Sequence, residues 1–261
     1  MTDMNPEEEA FYKQFEALKS SVSYERGCPK CNWREYTVDE NGKATCCDCW
    51  RKRVIRKLAL EAGLPEAYIG RELVDWNLKQ DAKGEDLSPL DKKKKNGVKL
   101  FMEKYLQFIV PICAGMPLKL KLGNVYESVT SLLFVGDSAS GKTLLACIIA
   151  QAALRKGLSV KFLEWSELDA MFSDYDRRDE QNELAEECRR VDVLIIDGIT
   201  DYGNNHPLFF SQLDRIANIR LNSKRPTILT AHSSYQTMRC HHGWKNLVAS
   251  CQAITLPSPR F

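Results

Sequence analysis

Leu132-Leu133-Phe134-Val135-Gly136-Asp137-Ser138-Ala139-Ser140-Gly141-Lys142-Thr143-Leu144-Leu145-Ala146 is the stretch whose reading decides the fold. A short apolar run enters a G-x-x-x-x-G-K-T turn and leaves it as a helical pattern, which predicts strand, phosphate-binding loop and helix in succession. Such a turn suits a triphosphate. Glycine permits a tight bend that aims consecutive backbone N–H groups inward, and the N-terminus of the following helix adds its dipole. The expected cradle is Gly136, Asp137, Ser138, Ala139, Ser140 and Gly141. Lys142 is expected to reach the β- and γ-phosphates, and the Thr143 hydroxyl to ligate Mg²⁺.

A second carboxylate-bearing strand should accompany this loop. Val193-Leu194-Ile195-Ile196-Asp197 has the required form, an apolar run typical of a buried parallel strand that delivers Asp197 to Mg²⁺. Leu158 to Leu163 reads as an intervening strand, Glu180 to Arg190 as a helix, and Thr227-Ile228-Leu229-Thr230 as a further strand ending at Ala231-His232. The alternation predicts a three-layer α/β core with a parallel sheet and the nucleotide at the C-terminal edge of its strands.

Composition narrows the rest. Thirty-seven basic residues against thirty-five acidic ones leave a net charge of +2, so nucleic-acid affinity has to come from local patches. No apolar run approaches a membrane span and the acidic start is not a signal peptide, which points to the cytoplasm. Five of the ten cysteines lie in one short stretch, Cys28-Pro29-Lys30-Cys31 and Cys46-Cys47-Asp48-Cys49. Two C-x-x-C knuckles around a turn at Glu40 to Lys43 are the pattern of a structural Zn²⁺ site, with the metal standing in for a core that so short a stretch cannot build. Cys28, Cys31, Cys46 and Cys49 are the expected ligands, Cys46 being preferred over Cys47 because it reproduces the knuckle spacing.

Before the knuckle, Asn5-Pro6-Glu7-Glu8-Glu9 reads as a helix start, with Phe11, Phe15 and Leu18 on one face. After it, Trp50 to Ala62 is a basic amphipathic helix: Trp50, Val54, Leu58 and Ala62 form the buried stripe, while Lys52, Arg53, Arg56 and Lys57 are candidate nucleic-acid contacts. Gly63-Leu64-Pro65 ends it. The polar stretch from Gly70 to Gly97, with Lys92 to Lys95, reads as a linker or exposed loop, and a helix from Val98 onward stops at Pro111. The expected organisation is a zinc module and its helices over 1–69, a linker over 70–97 and a nucleotide-binding domain over 98–261.

These motifs resemble those of the AAA+ ATPases of the bacterial helicase-loader kind, DnaC and DnaI, and the related IstB-type transposition ATPases. The likeness rests on the cysteine knuckle, Ala62-Gly63-Leu64-Pro65 with Tyr68, the loop from Gly136 to Thr143, Leu194 to Asp197, and Arg220 with Arg225-Pro226-Thr227-Ile228-Leu229-Thr230. It implies a nucleotide-switched homo-oligomer that binds single-stranded DNA and delivers a replicative hexameric helicase, with ATP, Mg²⁺ and Zn²⁺ as cofactors. In this family an acid usually follows the Mg²⁺-binding Asp and an Asn stands at the sensor position; here Gly198 and His232 take those places. Ser250 occupies the expected site of the trans-acting Arg finger, so that weak hydrolysis is expected. The likeness makes Lys142, Asp197, His232 and Arg220 the catalytic candidates, with Asp201 as a possible base and Arg260 as the sensor arginine. Ten residues follow Cys251, too few for a full helical lid. The leading reading is a loader from a phage or mobile element; the alternatives are an IstB-type target-DNA regulator and a nucleotide-binding adaptor that does not hydrolyse.

Overall fold

Strand β5, Ser131–Val135, is buried along its whole length. An apolar run buried on both faces is the signature of a central parallel strand, and both its edges are filled. In the computed structural model, which describes residues 28–32, 34–40, 42–76, 86–122, 125–200, 207–232 and 245–257, β5 pairs in parallel with β8 (Thr227–Ala231) on one side and β9 (Cys251–Thr255) on the other. Beyond β8 come β7 (Val193–Ile199) and β6 (Val160–Glu164), again parallel, which gives a five-stranded sheet in the order β6-β7-β8-β5-β9. The expected α/β core with a parallel sheet is present. β9 was not foreseen, because Cys-Gln-Ala-Ile-Thr lacks the run of branched apolar residues that marks the other strands.

Two apolar clusters cover the faces. One joins the helix after the loop, α4 (Lys142–Arg155), to Leu132, Phe134, Ile195 and Ile228. The other joins Leu133, Leu194, Ile196 and Leu229 to Trp165, Leu168, Phe172, Cys188, Leu213 and Ile216. The latter come from α5 (Trp165–Ser173), α6 (Arg178–Arg190) and α7 (Pro207–Asn222), and α8 (Lys245–Ser250) packs on α7. Alternate residues of each strand thus serve opposite layers, as period two requires.

The N-terminal part begins with a hairpin, β1 (Tyr36–Val38) with β2 (Ala44–Cys46), and helix α1 (Asp48–Glu61). The predicted stripe divides its work: Trp50 and Val54 pack beside Cys46 and Cys49, while Ile55, Ala59 and Ala62 enter the same core as α4. A Schellman-type end closes α1, with Gly63 at φ +87° and Leu64 N–H bonded to Ala59 O at 2.9 Å. Its last turn meets the sheet, where Phe162 N–H donates to Ala62 O at 2.7 Å. A Cβ on Gly63 would lie 2.6 Å from Phe162 O, so the approach needs glycine.

The stretch read as a loop is partly helical. Helix α2, Pro89–Gln107, starts inside it, with Ser88 Oγ accepting from Asp91 N–H at 3.1 Å and Pro89 in the first turn. Ser-Pro-x-Asp is a helix start, and the four lysines after it disguised that signal. Pro111 does not end the helix; the break falls at Phe108, and Pro111 sits in the first turn of short α3, Ile109–Cys113. A second hairpin, β3 (Leu118–Leu122) with β4 (Val125–Val129), leads into β5. The Asn5–Leu18 helix, Asp201 and Arg260 lie outside the described residues.

A phosphate loop and a cysteine cluster

The loop from Gly136 to Gly141 leaves the C-terminal end of β5 and delivers Lys142 as the first residue of α4. Positive φ values at Gly136, Ala139 and Gly141 close the turn. Lys142 Nζ donates to the carbonyls of Gly136 at 2.8 Å and Asp137 at 2.7 Å, so the ammonium is folded over the loop it will serve. Burial lowers its pKa, and the nearby carboxylates of Asp197 and Asp137 pull the other way. Thr143 Oγ1 lies 3.0 and 2.9 Å from the two carboxylate oxygens of Asp197. Ser140 Oγ, in a residue only 4% exposed, has no hydrogen-bond partner among the described residues. An orphaned hydroxyl inside the turn, a lysine at its mouth and a hydroxyl–carboxylate pair beside it fit a Mg²⁺-nucleotide.

Thr230 is a residue beside Asp197 that sequence reasoning missed. Because β8 lies between β7 and β5, its Thr230 hydroxyl faces Asp197 and donates to Oδ1 at 2.6 Å. Thr230 Oγ1 in turn accepts from Gly198 N–H at 2.8 Å. Asp197 is therefore held from two sides, by Thr143 and by Thr230. The one available signal was a hydroxyl near the exit of an otherwise apolar strand. The register of β7 against β8 slips between Ile196 and Ile199, and Gly198 has φ +75° within that irregularity. At the position where an acid was expected, this chain has a backbone conformation that favours glycine. His232 follows β8, exposed, with its N–H bonded to Ile199 O at 3.3 Å. Burial lowers its pKa, as does the charge of Lys142, which favours the neutral imidazole and puts His232 within electrostatic reach of the loop.

Arg220 is placed elsewhere, and its assignment as a catalytic candidate is corrected. At 1% exposure it donates to Thr227 Oγ1 and to the carbonyls of Cys188, Val191, Asp192 and Pro226. These acceptors sit where β7 and β8 begin, the end of a parallel sheet opposite to the phosphate loop. Burial brings its pKa down to about 10, and the ring of oxygens keeps the cation bound.

The cysteine cluster also differs from expectation. Cys28, Cys31, Cys47 and Cys49 place their sulfurs within 4.8 Å of one another, and Cys46 is not among them. Cys46 is the last residue of β2, paired with Tyr36, and it packs beside Trp50 and Val54. Successive side chains of an extended chain point to opposite sides, so only one of the two neighbours can face Cys28 and Cys31. Cys47 does so from the cap position of α1, its N–H bonded to Glu35 O. The Cys28–Cys47 and Cys31–Cys49 sulfurs are 3.7 and 3.6 Å apart. Tetrahedral Zn²⁺ with Zn–S near ~2.3 Å requires sulfur pairs about 3.8 Å apart, so the donor set fits the ion. Backbone hydrogen bonding at Cys31 and Lys30 pulls the Cys28 thiol down to about 6, while burial pushes Cys49 up to about 12.

Of the four basic residues expected to meet nucleic acid, three are engaged within the chain. Arg53 approaches Cys49 Sγ at 3.9 Å and Glu35 at 3.9 Å; Arg56 pairs with Glu66, and Lys57 with Glu61 at 3.6 Å. Lys52 is exposed beside Arg51.

Residues 120–248 match the family of IstB-like ATP binding proteins. Among solved structures, the DnaC helicase loader superposes with a TM-score of 0.51 at 15% identity, covering 74% of this chain and 100% of that one. DnaI gives 0.49 at 16%, covering 69% and 92%. AMPPCP-bound DnaA from Aquifex aeolicus gives 0.49 at 14% and covers 70% of this chain, which spans 51% of the DnaA chain. No curated protein matches the sequence. With the phosphate loop and the Thr143–Asp197 pair in place, residues 120–248 are similar to the IstB-like ATP binding proteins, and the five-stranded parallel sheet shares the fold of the DnaC helicase loader structure.

Proposed function

We propose that this protein is an ATP- and Mg²⁺-dependent switch in DNA replication, a loader of a replicative hexameric helicase acting on single-stranded DNA, with slow hydrolysis. The observation that carries the reading is the imbalance of the site. Groups that hold a nucleotide are complete in Lys142, Thr143, Asp197 and Thr230, while the position that normally polarises water is Gly198 in a left-handed bend. Binding groups in place with glycine where the general base was expected is the design of a clamp whose state is set by occupancy. Loading is supported by likeness of fold to the DnaC helicase loader. A homo-oligomer in the cytoplasm, encoded by a phage or mobile element, completes the proposal; among the described residues no helix is long and apolar enough to cross a membrane.

Mg²⁺ would be held by Thr143 and Asp197 and would neutralise phosphate charge; Thr230 fixes the carboxylate that holds it. His232, just after β8 and within the electrostatic influence of Lys142, would serve as the sensor of the terminal phosphate. Zn²⁺ would be held by Cys28, Cys31, Cys47 and Cys49 as a closed structural site, four thiolates leaving no position for chemistry. Lys52 and Arg51 are the basic side chains that α1 offers to a phosphate backbone.

The test is nucleotide binding and steady-state hydrolysis on one zinc-loaded sample, with and without single-stranded DNA. Tight Mg²⁺-ATP binding with little turnover is expected, and Lys142→Ala should abolish the binding. Unchanged affinity in that variant would remove the site; brisk DNA-stimulated turnover would remove the slow switch. A second reading, an IstB-type regulator of transposition, is favoured by the family match over 120–248. ATP-dependent filaments on duplex DNA without helicase contact would select it.

A further inference from the structure

Trp76 lies against the phosphate loop, far from it in sequence and outside the motif. The indole is 3% exposed, and its Nε1–H donates to the carbonyl of Ser140 at 3.3 Å. Gly141 fits against the same ring: a Cβ there would stand 2.5 Å from Nε1, and the residue has φ +95°. The Lys95 ammonium of α2 sits over the ring, 5.6 Å from a ring centroid. Close by, Gln151 of α4 accepts from Gly70 N–H at 2.6 Å and donates to Tyr68 O at 3.0 Å, which anchors the segment leading to Trp76 on the helix that follows the loop.

A trans peptide carries its C=O and the next N–H on opposite sides. Fixing the Ser140 carbonyl on Trp76 therefore turns the Gly141 N–H away from the indole. We propose that Trp76 is a positioning residue for nucleotide binding: by holding the Ser140–Gly141 peptide in one orientation, it keeps the Gly141 N–H aimed at the phosphates of ATP or ADP. Resting on the nucleotide reading above, the proposal adds a residue from outside the loop on which the donor set depends. A peptide free to turn would present its carbonyl to the anion for part of the time, and preorganised donors bind more tightly than donors that must first be ordered. The glycine and the tryptophan act as a matched pair, since a side chain at 141 would have to expel the ring.

The experiment compares wild type with Trp76→Phe, which keeps an aromatic ring and removes the N–H, by competition of ADP and adenosine against a fluorescent ADP analogue. Melting curves check that the variant is folded. ADP affinity is expected to fall about three- to ten-fold, the worth of one lost hydrogen bond, with adenosine affinity unchanged. Equal losses for both ligands would make Trp76 a packing residue only, and no loss for either would also overturn the proposal. Trp76→Tyr, closer in volume, should give the same selective loss and serves if the Phe variant does not fold. Failure of wild type to bind ADP would refute the nucleotide reading instead, a result distinct from all of these.

Discussion

At Arg220 a guanidinium with its fixed fan of donors finds an acceptor on almost every side: a threonine hydroxyl and four backbone carbonyls from the segments entering β7 and β8. Pro226 O also accepts from Leu194 N–H, and any of these carbonyls buried without a partner would carry a penalty of about 1–3 kcal/mol. Replacing Arg220 with Met is expected to destabilise the protein by about 3–5 kcal/mol in chemical denaturation, with the nucleotide affinity of the folded fraction unchanged. A selective loss of hydrolysis at full stability would restore the catalytic assignment. From sequence, a lone Arg before an Arg-Pro-Thr strand start reads equally as a finger or a brace, and only burial separates the two. Thr230 was hidden for a related reason. Threonine is an ordinary strand former, and its bond to Asp197 exists because β8 is inserted between β5 and β7, a matter of strand order that no local pattern records.

Helix α1 is the element in which the greatest part of the reading was legible and one detail was wrong. Its start after the knuckle, its basic surface and its Gly63 end all follow from local chemistry. The ligand at its N-terminus does not, because knuckle spacing favours Cys46 whereas the pleat of β2 turns Cys46 toward Trp50 and leaves Cys47 for the cluster. Cys47→Ser should therefore lose bound Zn²⁺, measured as metal per chain, while Cys46→Ser retains it. Serine is a better helix cap than cysteine, so loss of metal from Cys47→Ser cannot be laid to a weakened α1. Retention in Cys47→Ser with loss in Cys46→Ser would reverse the assignment. Helix α2 was half legible: its apolar residues from Val98 on gave it away, and its lysine-rich first turns did not.

Across the whole molecule, the division into a small metal module and a separate nucleotide domain is blurred by packing. Ile55, Ala59 and Ala62 of α1 belong to the same apolar cluster as Leu145, Ile149 and Ala153 of α4, and Met102 and Tyr105 of α2 join them. A continuous core unfolds as a unit. Calorimetry of the zinc-loaded protein should show one main transition, and a chelator should move it down by several degrees. Two transitions, with only the lower one sensitive to the chelator, would establish independent units. The sheet and its loop were readable because each strand carries its own apolar run and the loop its own motif. Contacts between Trp76 and Gly141, or between Ala62 and Phe162, join residues distant in sequence, and no periodicity announces them.

β6 is a rim strand of the five-stranded sheet, and a rim with unpaired N–H and C=O groups is a template on which a second chain can polymerise. In this molecule the turn at Ala62 and Gly63 lies across that template and takes the hydrogen bond of Phe162. The shield hangs from α1, whose other end is tied down at Cys47 and Cys49. Oxidation or stripping of those cysteines would thus uncover a sticky edge as well as loosen a helix, and the fate of the damaged chain would be decided by self-association as much as by unfolding.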